Sequence, residues 1–121
     1  MAVRRLAVPG VLAAALVAVA SASARTVVVQ AKIIPGAIVE MPGKIVLTPN
    51  HVKAGTTVTF RITNTDRSND HVFEINGRLT RFIPAGAHAV LKNVRFPNAG
   101  KYVASCPDDD RGIGGYFFVT V

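Results

Sequence analysis

Beyond residue 25, apolar and polar side chains alternate with a period of two in one short stretch after another. The clearest stretch is Thr57 to Thr63, in which Val58, Phe60 and Ile62 alternate with Thr57, Thr59, Arg61 and Thr63. That is the pattern of a strand with one buried and one wet face. "HVFEI" (71–75) places His71, Phe73 and Ile75 on a single face, so the histidine points where the core points. "KYVASC" (101–106) does the same for Tyr102, Ala104 and Cys106, and "GYFFVTV" (115–121) for Phe117, Val119 and Val121. "TVVVQAKII" and "KIVLTPNHV" supply opening strands, separated by Pro35, Gly36, Pro42 and Gly43, and "AVLKNVRF" (89–96) reads as a mixed strand. "KAGTTV", "NTDRSND", "PAGAH" and "PNAG" are turn-rich connections, and "GIGG" is a turn into the last strand. No stretch holds apolar residues at helical spacing for three turns. The pattern predicts an all-β domain, a Greek-key β-sandwich of about seven strands with turns every eight to twelve residues.

The amino terminus does not fit that pattern. Arg4 and Arg5 precede an apolar run from Leu6 to Ala20, and Ala22-Ser23-Ala24 supplies a small-x-small cleavage site. Residues 1–24 are therefore expected to be a signal peptide and the protein to be exported, periplasmic in a bacterium, with no stable membrane span once the leader is removed. Residues 25–121 form one domain, a size at which a single core just suffices. The whole chain carries 14 basic and 7 acidic residues; without Arg4 and Arg5 the balance is 12 to 7, a net charge of +5. That excess suits a partner with an acidic surface or an anionic membrane surface. The basic residues are scattered rather than clustered and the chain reads as exported, which argues against nucleic acid. One cysteine excludes an internal disulfide. Cys106 is thus a metal ligand, an intermolecular partner or a buried inert thiol.

The order and spacing of "LTPNHVKAGTTVTFRITN", "HVFEI", "IPAGAHAVL", "AGKYVASC" and "GIGGYFFVTV" resemble the cupredoxin family over nearly all of residues 25–121. The resemblance implies the cupredoxin sandwich and a metal site near its end. A blue-copper site uses two histidines, a cysteine thiolate and a weak axial methionine. His71 matches the first histidine and Cys106 the thiolate. Where the second histidine is expected the chain has Asp109, Asp110 and Arg111, and near the methionine position it has Ile113 and Gly114. Carboxylates replace softer donors, which shifts preference from Cu(I) towards harder ions such as iron, with Cu(II) retained. Such an acid-rich loop resembles that of the cupredoxin-like periplasmic components of ferrous-iron permease systems, and Glu74 resembles an acidic position of that group. The resemblance implies copper or iron as the ion, with His71, Cys106, Asp108, Asp109, Asp110 and Glu74 as candidate ligands. It also implies oxidation or delivery of Fe(II), with the permease or a periplasmic metal protein as partner.

Each of these residues also has a plainer reading. His71 can be a hydrogen-bonded core histidine, the aspartates a solvated turn, and Glu74, which alternates away from His71, an exposed side chain. His51 and His88 fall in turns and are expected to face solvent. A blue-copper electron carrier and a metal-free scaffold serving as an interaction module are the alternative functions. A cysteine hydrolase lacks a nucleophile on a helix terminus, and no glycine loop precedes a helix to cradle phosphate.

Overall fold

Nine strands and no helix make up the computed structural model, which describes residues 25–37, 41–109 and 112–121. The expected leader and its cleavage site lie outside the described residues, within which no helix is long and apolar enough to cross a membrane. The strands are β1 (Thr26–Ile34), β2 (Lys44–Thr48), β3 (His51–Lys53), β4 (Thr56–Asn64), β5 (Glu74–Ile75), β6 (Arg78–Leu79), β7 (His88–Phe96), β8 (Gly100–Ser105) and β9 (Gly114–Thr120). The count exceeds seven for two reasons. "KIVLTPNHV" breaks at Pro49 into β2 and β3, because proline has no N–H to continue a ladder. A short hairpin, β5–β6, turns through Asn76 and Gly77, both at positive φ.

The strands follow one continuous path, β6-β5-β8-β9-β2-β1-β4-β7, with β3 alongside β9. β2 and β9 share a single register pair, Lys44 with Gly114. This thin seam lets the path fold into two layers, β2-β1-β4-β7 against β6-β5-β8-β9. Between the layers the alternating apolar residues meet, and Phe60 of β4 packs on Phe73, Phe96 and Phe117 at centroid distances of 5.6 to 6.3 Å. Such tilted and edge-on pairs add to simple burial. The path nearly closes at its ends. Arg78 of β6 donates from Nη1 and Nη2 to the carbonyls of Asn93 and Lys92, and Asn76 donates to that of Arg95.

The mixed pattern of "AVLKNVRF" has a local cause. Val58 pairs with Val94 and Phe60 with Leu91, so Lys92 and Asn93 together oppose Thr59. Asn93 takes a φ of 59°, and this bulge lets both Leu91 and Val94 face the core although they are three apart. Two placements differ from the sequence reading. His51 and His88 begin β3 and β7 rather than lying in turns, although both are exposed as expected. Val121 is fully exposed, since β9 ends at Thr120 and no strand continues over it.

Candidate metal centre

Three segments meet at one end of the sandwich. The loop after β4 carries Asp66 to His71, the loop between β8 and β9 carries Cys106 to Ile113, and the connection between β1 and β2 brings Gly36 and Gly43. They line a cleft of about 640 Å³ whose walls include Asp66, Asp70, His71, Asp108, Asp109 and Ile113.

The first loop is held by polar side chains. Asn64 is fully buried and donates to the carbonyls of Asn69 and Ile83 at 3.0 Å, while its Oδ1 accepts from the Asp66 N–H at 3.0 Å. Asp66 is buried too. Its Oδ1 accepts from the Ser68 and Asn69 N–H groups and its Oδ2 from the Asn69 side chain and from His71. Burial pushes the Asp66 carboxyl up, but these hydrogen bonds outweigh it, led by the one from Ser68, and the net effect lowers its pKa. An ionised Asp66 can only accept, so in the 2.9 Å contact His71 Nε2 carries the proton.

The other ring nitrogen is Nδ1. His71 is 3 % exposed, pinned by backbone bonds in both directions with Ile83, and this atom has no hydrogen-bond partner. Asp108 Oδ2 lies 3.4 Å from Nδ1, close but without the geometry of a hydrogen bond. Asp108 is itself aimed by its Oδ1, which accepts the Val72 N–H at 2.8 Å; its backbone is open to solvent while its side chain is only 18 % accessible. Cys106 is buried at the other side. The turn it opens is closed by Cys106 N–H to the Ile113 carbonyl and Asp109 N–H to the Cys106 carbonyl. Burial pushes the Cys106 thiol up to about 12, with the charges of Asp108 and Asp109 adding to the effect.

A nitrogen of His71, the sulfur of Cys106 and an oxygen of Asp108 all lie within 4.8 Å of one another. Two bonds of about 2.0–2.3 Å to a shared first-row ion nearly span that separation. A buried imidazole lone pair facing a carboxylate oxygen and a thiol is repulsive unless a cation or a proton stands between them. The donor set and the orphaned Nδ1 therefore fit a metal ion, with the thiol giving up its proton on binding.

The remaining candidates divide. Asp109 borders the cleft, and its charge is felt by Cys106. Asp110 lies outside the described residues. Glu74 does not join the group: it is half-buried on β5, paired with Leu79 and Ser105, on the opposite side of the strand from Phe73 and Ile75. Ile113, near the methionine position of the blue-copper pattern, is buried and closes the apolar side of the cleft against Gly43. A side chain at Gly43 would strike the Ile34 carbonyl and the Ile113 Cγ1, so glycine is required there. Asp66 is the functional residue that sequence reasoning missed. Its only signal was an aspartate in a turn five positions before His71, and such turns are common without any site.

No protein-family model matches the sequence, and no curated protein matches it. Among solved structures the chain is similar to rusticyanin from Thiobacillus ferrooxidans, with a TM-score of 0.57 and 21% identity over 79% of this chain and 78% of that one. It is likewise similar to a rusticyanin with a histidine-to-methionine substitution (TM-score 0.59, 21%) and to a rusticyanin from the crystal structures of serine-to-aspartate and methionine-to-leucine forms (0.60, 22%), over the same shares. The all-β fold is thus that of the cupredoxins, as the order of sequence motifs implied.

Proposed function

We propose that this is an exported cupredoxin-like copper protein that carries single electrons, with His71 Nδ1, Cys106 Sγ and Asp108 Oδ2 as the ligands from the described residues. The observation that carries the reading is the buried, partnerless Nδ1 of His71, turned by Asp66 towards a cysteine and a carboxylate. Thiolate and imidazole are donors that suit copper in both oxidation states, and a bound copper would supply a one-electron couple. The chain's part is to orient the donors, exclude bulk water from the sulfur and tolerate the change of charge.

The cleft favours ferrous iron as the electron donor. Asp66, Asp70, Asp108 and Asp109 line it, and Arg67 is its one basic wall residue among those described. An acidic cleft in a basic protein concentrates a divalent cation next to the site. One Fe(II) would lose one electron to Cu(II), giving Fe(III) and Cu(I). The acid-rich loop resembles that of the cupredoxin-like periplasmic components of ferrous-iron permease systems, a setting that would use this step.

The test is a Cu(II) titration read by elemental analysis and visible absorption. One copper per chain is expected, with an intense thiolate-to-Cu(II) charge-transfer band. Cys106→Ser should remove the band, and His71→Ala and Asp108→Ala should each weaken binding at least tenfold. If Cys106→Ser and His71→Ala both leave stoichiometry unchanged, the proposed site does not exist. A loaded protein whose colour survives anaerobic Fe(II) would keep the copper site and remove iron as the donor.

A further inference from the structure

The outer face of β1, β4 and β7 carries charge of one sign only. Register pairing sets Lys32 beside Thr63 and Thr63 beside His88, then Gln30 beside Arg61 and Arg61 beside Val90, with Lys92 following on β7. Gln30, Thr59, Arg61, Thr63, His88, Val90 and Lys92 enclose a shallow groove of about 580 Å³. Lys32, Arg61 and Lys92 are exposed, and none has a carboxylate within ion-pair distance among the described residues. Every described acidic residue, Asp66, Asp70, Glu74, Asp108 and Asp109, sits instead in the metal-end loops or on β5. Three valines on this side of the sheet are 40 to 52 % exposed, Val28, Val46 and Val90, the last paired with Arg61. Val46 lies next to Lys32 by pairing through β2, and Val28 lies next to Thr59.

Cations without ion-pair partners, interleaved with exposed apolar side chains, suit a protein surface of opposite charge. Polyphosphate recognition would use the cations without the valines. We propose that this face docks a protein whose surface is acidic and that the Lys32, Arg61 and Lys92 cations select it. The surface stands independently of the metal reading. It reaches the metal end all the same, because the Lys32–Thr63–His88 row is two residues from Thr65, which lines the metal cleft.

The experiment uses poly-L-glutamate as an acidic polypeptide probe against the 15N-labelled protein. Amide shifts are expected on β1, β4 and β7, diminishing as salt rises from about 50 to 200 mM. The combined change Lys32→Glu, Arg61→Glu and Lys92→Glu should weaken binding about tenfold or more. The change Lys53→Glu, Arg81→Glu and Lys101→Glu, identical in net charge, should alter it less than about twofold. If charge reversal on the face prevents folding, the glutamine triple at the same positions serves instead. Equal losses in both triples would mean that net charge alone attracts the probe, and shifts confined to another face would put the surface elsewhere; either overturns the proposal. So would binding to phosphatidylglycerol vesicles but not to the polypeptide, which would make the face a membrane surface, or self-association abolished by the same triple, which would make it a contact between copies.

Discussion

Asp66 links the residue-level chemistry to both stability and the site. Its carboxylate collects four hydrogen bonds in a buried loop, and its pKa is lowered from the ordinary value of 3.8. A group with a depressed folded-state pKa stabilises the fold above its unfolded pKa, and that contribution disappears as pH falls through the folded value. Asp66→Asn should therefore cost about 1–3 kcal/mol at pH 7, where a charged acceptor is lost from a buried network. The gap between variant and wild type should narrow below about pH 4, because protonation does to the wild type what the substitution does at every pH. Urea denaturation at pH 7 and pH 3 checks this, and a gap independent of pH would mean that Asp66 is not ionised in the fold. Metal affinity gives the second readout: the histidine's partner should be worth about 10–100-fold, since it fixes which nitrogen faces the ion.

Among the elements, β4 is the one on which the fold turns. It lies between β1 and β7, and its inward residues Val58, Phe60 and Ile62 are all but fully buried. Phe60→Ala removes the ring shared by three other aromatics and should cost about 3–5 kcal/mol, measured as a fall in unfolding midpoint at unchanged denaturant slope. Arg78→Ala should behave otherwise. Its guanidinium meets two exposed carbonyls of β7, so the global loss should stay under about 1.5 kcal/mol. Amide exchange in β6 and β7 should nevertheless quicken, because those bonds hold together the two ends of the strand path, which no backbone ladder joins.

Across the whole molecule, the metal end ties distant stretches of chain together. His71 and Cys106 are 35 residues apart in sequence, and the loops carrying them follow strands of opposite layers, β4 and β8. An ion bound to both stabilises only the folded arrangement. With free copper at 100 times its Kd the gain is about 2.7 kcal/mol, a rise in Tm of roughly 10–20 °C for a domain of this size. Calorimetry with and without the ion, and with Cys106→Ser, measures it; the same rise in the cysteine variant would place the binding elsewhere. Charge is divided on the same scale, with acidic loops at the metal end and cations over the β1-β4-β7 face. The net +5 that the sequence reading assigned to residues 25–121 hides that division.

The strands and the face each side chain takes were written in the sequence, because a period of two decides burial locally. Val58, Phe60 and Ile62 fall inside for that reason, as do His71 and Cys106. The order of motifs was enough to indicate a cupredoxin sandwich, since a strand's place in such a fold follows from the turns that bound it. Alternation failed where geometry departs from the simple ladder, at the Lys92–Asn93 bulge, at Pro49 and at Val121, past the end of β9. Only the tertiary structure decided which acids join the histidine and cysteine. Asp108 enters because the turn opened by Cys106 presents its carboxylate to the Val72 N–H, and Glu74 stays out because its strand points it away. Only the tertiary structure, too, set Asp66 against Nε2 and left Nδ1 exposed to the thiol. That choice of nitrogen depends on a contact across a folded loop, and no spacing along the chain encodes it.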